Sequence, residues 1–215
     1  MNPLGWLRAR FGAADAPLAA AHWVAVDCET SGLDLRTDRL LSIGAVRLVD
    51  ARIAIGEAFS AVLRQAEASA AGNIVIHGIG GDAQRGGTPP GEALDAFDRY
   101  AGDAVLVGYH AHFDRTMLER SLREQGKPPG DRKWLDLAQL LPALYPSRAR
   151  ACKSLDDWLR AMDIAVEERH DALADAVATA QLLQVALAEA GRQGVTGVRG
   201  LLRLAADARW AGGAG

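Results

Sequence analysis

A chain of 215 residues, 49% of them apolar, has material for one sizeable core and is neither disordered nor fibrous in composition. Its 24 Lys and Arg against 27 Asp and Glu, a net charge of -3, exclude a protein that coats nucleic acid by bulk positive charge. Cys28 and Cys152 match neither zinc-ligand spacing nor a secreted disulfide scaffold, and Arg8, Arg10 and Asp15 break up the N-terminal stretch, so neither an export signal nor a membrane span is expected and the cytoplasm is the expected compartment.

After an Ala-rich extension, residues 1–21, the run 22–27 reads as a buried strand. A turn-rich stretch, 30–39, leads into a second strand at 40–48 and a third at 52–63, spaced closely enough for an antiparallel meander. Residues 72–91 form a Gly- and Pro-rich connection that contains His77 and lacks the Gly-Lys-Ser/Thr ending of a phosphate-cradling loop. From Glu92 the pattern alternates: a helix to about Tyr100, a strand at 104–107, a helix at 115–125 and a short strand at 133–136. Helical periodicity then covers 137–144, 154–162 and 172–190, and a tail, 191–215, holds one more short helix at 201–209. This is α/β rhythm, giving a mixed sheet of five strands flanked by helices, with 22–190 as the main domain. Between Arg115 and Lys153 nine basic residues outnumber four acidic ones, a local reversal of charge suited to phosphate contacts or to a solvated face.

Acids gather at element ends. Asp27 and Glu29 close the first strand, and side-chain alternation sends both carboxylates to one face. Asp114 follows the carboxyl end of the strand at 104–107, the edge where open α/β sheets bind ligands. His170, Asp171 and Asp175 stand at the start of a helix that is otherwise apolar almost all round. Each has an ordinary structural explanation as a solvated loop acid, an N-cap or a first-turn acid favoured by the helix dipole. Their combination fits phosphodiester hydrolysis, in which hard oxygen ligands hold two divalent cations, Mg²⁺ or Mn²⁺, and an imidazole takes the proton of water.

Three ordered motifs carry a resemblance. Val26-Asp27-Cys28-Glu29-Thr30-Ser31-Gly32-Leu33, with the strand after it, Val107-Gly108-Tyr109-His110-Ala111-His112-Phe113-Asp114, and His170-Asp171-Ala172-Leu173-Ala174-Asp175-Ala176 together resemble the histidine-bearing branch of the DEDD 3′ to 5′ exonucleases. That branch belongs to the ribonuclease H-like superfamily and includes bacterial DNA polymerase III epsilon proofreading subunits. The likeness spans about residues 22 to 190. It implies that Asp27, Glu29, Asp114 and Asp175 bind the metals, that His170 is the general base, that Asp171 starts the helix, and that Thr30, Leu33, His77 and Phe113 surround the terminal nucleotide. It further implies the 3′ ends of single-stranded DNA or RNA as substrate, DNA favoured, nucleoside 5′-monophosphates as products, and a polymerase or other replication or repair protein as partner.

Tyr109-His110 stands where the family usually has His-Asn, which puts the fine geometry of the second motif in question. The same segment, His110-x-His112-x-Asp114, resembles the zinc motif of metallo-β-lactamase-like hydrolases, although Arg115 occupies the position of the histidine that normally follows. A zinc hydrolase and a catalytically silent exonuclease-like module that binds a strand end or a partner are the alternative readings.

Overall fold

In the computed structural model, which describes residues 16–165 and 171–212, the apolar run after His22 becomes the central strand, β1 (Trp23–Thr30). It pairs antiparallel with β2 (Leu40–Val49) along nearly its whole length. Asp50 and Ala51, with φ of 50° and 59°, make the two-residue turn that reverses β2 into β3 (Arg52–Ile53). Two successive left-handed residues match the twist of a tight hairpin. β4 (Phe59–Val62) then pairs with the other half of β2.

The expected third strand, 52–63, is therefore two strands, and the sheet has six strands rather than five. Register explains the break. Leu48 pairs with Ile53 and Ala45 with Phe59, so β2 advances three residues while its partner advances six. The surplus loops out as a 3-10 turn, Ile55–Glu57. The meander of the first strands is otherwise as expected.

β5 (Val105–Gly108) adds parallel to β1, and β6 (Trp134–Asp136) adds parallel to β5, giving the order β3-β2-β1-β5-β6 with β4 also on β2. The 72–91 connection folds into two short helices, α1 (Ala71–His77) and α2 (Gly81–Gly86), separated by Gly78 at φ 69°. Such a conformation suits glycine and ends the first helix. α3 (Pro90–Ala101) opens with proline in its first turn, where the missing N–H costs nothing. α4 (His112–Glu124) starts three residues earlier than the apolar pattern indicated. α5 (Leu137–Leu144) is capped by Asp136, and α6 (Leu155–Ala161) by a reciprocal Ser154–Asp157 capping box. α7 (Ala172–Arg192) and α8 (Val198–Gly212) complete the order.

The sheet divides two cores. Trp23 and Ala25 of β1 pack with α5, α6, α7 and α8 on one face, while Val24, Val26 and Cys28 pack with α3 and α4 on the other. α7 is apolar almost all round because it lies between the sheet and the outer helices, the expected state of a core helix. α8 is longer than the 201–209 reading because Val198 and Leu201 are fully buried, and residues 16–18 bond to its approach: Leu18 N–H donates to Thr196 O and Val198 N–H to Ala16 O, each at 3.1 Å. Among the described residues, no helix is long and apolar enough to cross a membrane.

Candidate active site

Alternation along β1 sends Asp27 and Glu29 towards α7, and Cys28 between them towards α4. Asp27 pairs across the sheet with Gly44 and Glu29 with Ser42. Gly44 decides what comes next. A Cβ there would overlap the backbone of Ala172 and Leu173, so only glycine lets the first turn of α7 descend onto the sheet at this point. Asp171 caps that turn by accepting from Ala174 N–H at 2.9 Å, in agreement with its expected role. One turn further on, Asp175 is 6% exposed and faces the two strand acids. Carboxylate oxygens of Asp27, Glu29 and Asp175 lie within 4.8 Å of one another.

Asp114 arrives from the opposite layer. β5 ends at Gly108, and the chain turns through Tyr109, His110 at φ 59° and Ala111 into α4, which places Asp114 in its first turn. Pairing between β1 and β5 stops at Ala25–Val107. Beyond that point the backbone N–H and the thiol of Cys28 both donate to the Asp114 carboxylate. Burial, only partly offset by these donors, pushes Asp114 up to about 7, and it likewise drives the Cys28 thiol well up, with the Asp114 and Asp27 charges adding to the effect. Asp114 thus borders the trio from the other face of β1 and is not a member of it.

Of the residues expected around a nucleotide, Thr30 donates through Oγ1 to Gly32 O at 2.6 Å, and Leu33 projects 85% exposed from the following loop. Asp38 shapes that loop by accepting from Ser31 Oγ and Asp34 N–H, each at 2.8 Å, while Arg120 of α4 donates to Leu35 O at 2.6 Å and Asn73 of α1 donates to Ser31 O. Phe113 is half-buried against the α3–α4 core. His77 is turned inward: Nδ1 accepts from Ile79 N–H at 3.1 Å and Nε2 lies 3.2 Å from Ser69 Oγ. Gln84, fully buried, completes the network by donating to Ser69 Oγ and Ile79 O and accepting from Ser69 N–H. The imidazole therefore braces the α1–α2 corner. His170 lies outside the described residues.

One acid escaped the sequence reading as a site residue. Asp136 Oδ1 accepts from His110 N–H at 3.0 Å and from Ala138 N–H at 2.9 Å, joining the Asp114 turn to the start of α5. Burial raises its carboxyl, and its charge in turn raises Asp114. An aspartate immediately before the apolar run 137–144 was the available signal. Tyr109, beside it, donates to Lys153 O at 3.3 Å, and burial pushes its phenol up to about 12. His110 and His112 belong to no metal-holding group; among the described residues the only such group of three or more is Asp27, Glu29 and Asp175.

The family model described as Exonuclease matches residues 24–183. A DNA polymerase III subunit epsilon-like protein of Rhodobacter capsulatus is 33% identical over 171 residues, 78% of this chain and 24% of its own length. A PolC-type DNA polymerase III of Lacticaseibacillus paracasei is 27% identical over 181 residues, 83% of this chain and 12% of its own. The chain thus spans a quarter or less of the length of these two relatives. Among solved structures, E. coli exonuclease I in complex with a dT13 oligonucleotide superposes with a TM-score of 0.70 at 20% identity, over 80% of this chain and 42% of that one, which makes the fold ribonuclease H-like. With the family model covering both β1 acids, Asp114 and the first turns of α7, the chain belongs to the exonuclease family.

Proposed function

We propose that this protein is a 3′ to 5′ exonuclease that hydrolyses the terminal phosphodiester of single-stranded nucleic acid by two-metal-ion catalysis and releases nucleoside 5′-monophosphates, with residues 22–190 as its catalytic domain. The observation that carries the proposal is the convergence of Asp27, Glu29 and Asp175 oxygens within 4.8 Å. The trio offers oxygen alone, which suits Mg²⁺ or Mn²⁺ over softer metals. Oxygens sharing one Mg²⁺ lie about 3–4 Å apart, given its bond lengths, so small rotations close the trio around a cation. Two such cations would supply activation of the attacking water and neutralisation of charge on the departing oxygen.

The chain's own groups do the rest. Asp27, Glu29 and Asp175 hold one side of the cation site, and Asp114 completes it from across β1. His170, five residues before the metal ligand Asp175 and next to the cap Asp171, takes the proton of the attacking water. Thr30, Leu33 and Phe113 bound the space for the terminal nucleoside, Leu33 offering an exposed apolar surface to a base. His77 holds the α1–α2 corner beside them. The dT13 complex of the structural neighbour supports single-stranded DNA as the favoured substrate, and the epsilon-like and PolC-type names support a polymerase or other replication or repair protein as partner.

Incubation of a 5′-labelled single-stranded DNA with Mn²⁺ tests the proposal. The expected result is a ladder shortening from the 3′ end, absent for Asp175→Asn. Equal, negligible shortening by both proteins overturns it and favours the silent binding module. A matched RNA strand reads the sugar preference.

A further inference from the structure

Next to the Asp114 turn, an open cleft of about 170 Å³ runs between the first turn of α4, the edge strand β6 with the start of α5, and the flank of α8. Asp136, Ala111 and His112 line this cleft, and Asp136 Oδ1 accepts from His110 N–H at 3.0 Å, which ties the cleft wall to the turn that carries Asp114.

Its walls have a consistent chemistry. His112 and Arg115 are exposed and successive on one face of α4, three residues apart, and both line the cleft. The Arg115 guanidinium is steered along the helix by its Nε bond to Glu119 at 2.7 Å, which limits the rotamer freedom lost when a ligand arrives. Trp134, half-buried, supplies an aromatic surface, Gln139 a side-chain amide, and Ala206 of α8 a small opposing wall. Asp136, the one carboxylate in the cleft, is engaged by His110, Ala111 and Ala138 N–H groups and by the Gln139 amide at 3.3 Å. Those donors disperse its charge and lower its cost to a neighbouring anion. A cation, an amide and an aromatic face in one open groove are the complement of a single strand's phosphate and base.

We propose that this cleft is a second nucleic-acid subsite, which takes the phosphodiester unit upstream of the terminal nucleotide. Arg115 contacts its phosphate, and α8 forms the wall that keeps the strand in line with the carboxylates. The inference rests on the exonuclease reading for its direction along the strand, but strand binding itself does not require turnover.

Equilibrium binding keeps the two apart. Fluorescence anisotropy with labelled decathymidylate, and calorimetry with thymidine 5′-monophosphate, are carried out in Ca²⁺ for the wild-type protein and for Arg115→Ala, Arg115→Lys and Ala206→Glu. The ratio of the decamer affinity to the mononucleotide affinity is expected to fall about tenfold in Ala206→Glu and severalfold in Arg115→Ala, with recovery in Arg115→Lys. The slope of log affinity for the decamer against log salt should shrink by about 0.7 in Arg115→Ala, the value of one lost single-strand phosphate contact, a change that a merely structural role would not produce. Wild-type ratios and slopes in both Arg115→Ala and Ala206→Glu overturn the subsite, whatever the hydrolysis assay returns. Failure of the wild-type protein to shorten DNA while these shifts are present overturns the exonuclease reading and leaves the subsite standing.

Discussion

The two faces of β1 present acids in contrasting ways. On the α7 face, Asp27, Glu29 and Asp175 crowd together because Gly44 lets a helix backbone rest on the sheet. On the α4 face, Asp114 is buried with a backbone N–H and a thiol as its donors and is pushed up to about 7. Close approach of backbones builds the first arrangement, and hydrogen bonding at the end of a parallel strand pair builds the second. A site assembled from both depends on backbone fit on one side and on polar satisfaction on the other, and mutations should separate these dependences.

The largest effect is expected from Gly44→Ala. Its Cβ has no room against Ala172 and Leu173 backbone atoms, which cannot rotate away as a side chain would. Overpacking of a core commonly costs about 1–3 kcal/mol, and rigid backbone on the receiving side puts this variant at about 3 kcal/mol or beyond. Urea denaturation should record that loss. Retraction of α7 also carries Asp175 away from the strand acids, so nuclease activity should vanish under conditions where the variant is still folded. A folded, fully active Gly44→Ala would break the claim that helix approach sets the trio.

Asp27→Asn probes the charge within the same trio. Replacing one acid relieves repulsion between like charges, so the metal-free variant should melt at or above the wild-type temperature. Saturating Mn²⁺ should stabilise the wild-type protein by about 2.7 kcal/mol at a hundredfold excess over Kd, and the variant much less. Equal Mn²⁺-induced shifts in the two proteins would show that Asp27 is not a ligand. On the other face, Cys28→Val removes the thiol donor to Asp114 while keeping a similar volume and the backbone N–H. A loss of about 1 kcal/mol of stability is expected, with Mn²⁺ stabilisation largely retained. The contrast between these two variants sharpens the distinction between the faces.

Legibility in the sequence followed the same division. Alternation on β1 told that Asp27 and Glu29 share a face, because a period of two is a local property of the chain. Asp171 as helix starter came from the family resemblance and not from spacing, whereas the order of three motifs was equally readable. Assignment of Asp114 to the far side of the strand was not, since it depends on where β1–β5 pairing ends, a non-local fact. The split of the third strand escaped for a similar reason: Arg52 to Leu63 looks like one run until the register of β2 is known. Gly44 lies inside the expected strand at 40–48, and the backbone it admits is 128 residues away at Ala172. Composition concealed α1 and α2, because glycines at 72, 78, 80, 81, 86 and 87 argue for loop while tertiary contacts impose short helices.

His77 offers the smallest effect and the clearest sign. Resemblance placed it at a nucleotide, whereas both of its ring nitrogens are engaged inside the α1–α2 corner. Burial lowers its pKa below the ordinary histidine value, so the folded protein favours the neutral ring. A group depressed in this way contributes stability that is present above the unfolded pKa of about 6.5 and is lost as pH falls through the lower folded value. His77→Gln should consequently flatten part of the fall in urea midpoint between pH 7 and pH 5, by well under the effect of Gly44→Ala. Gln84→Ala leaves Ser69 N–H and Ile79 O without their buried partner and should cost about 1–3 kcal/mol at either pH, because its loss is one of hydrogen bonds rather than of a proton equilibrium. If His77→Gln kept the full wild-type pH dependence, the imidazole would not be titrating inside the corner.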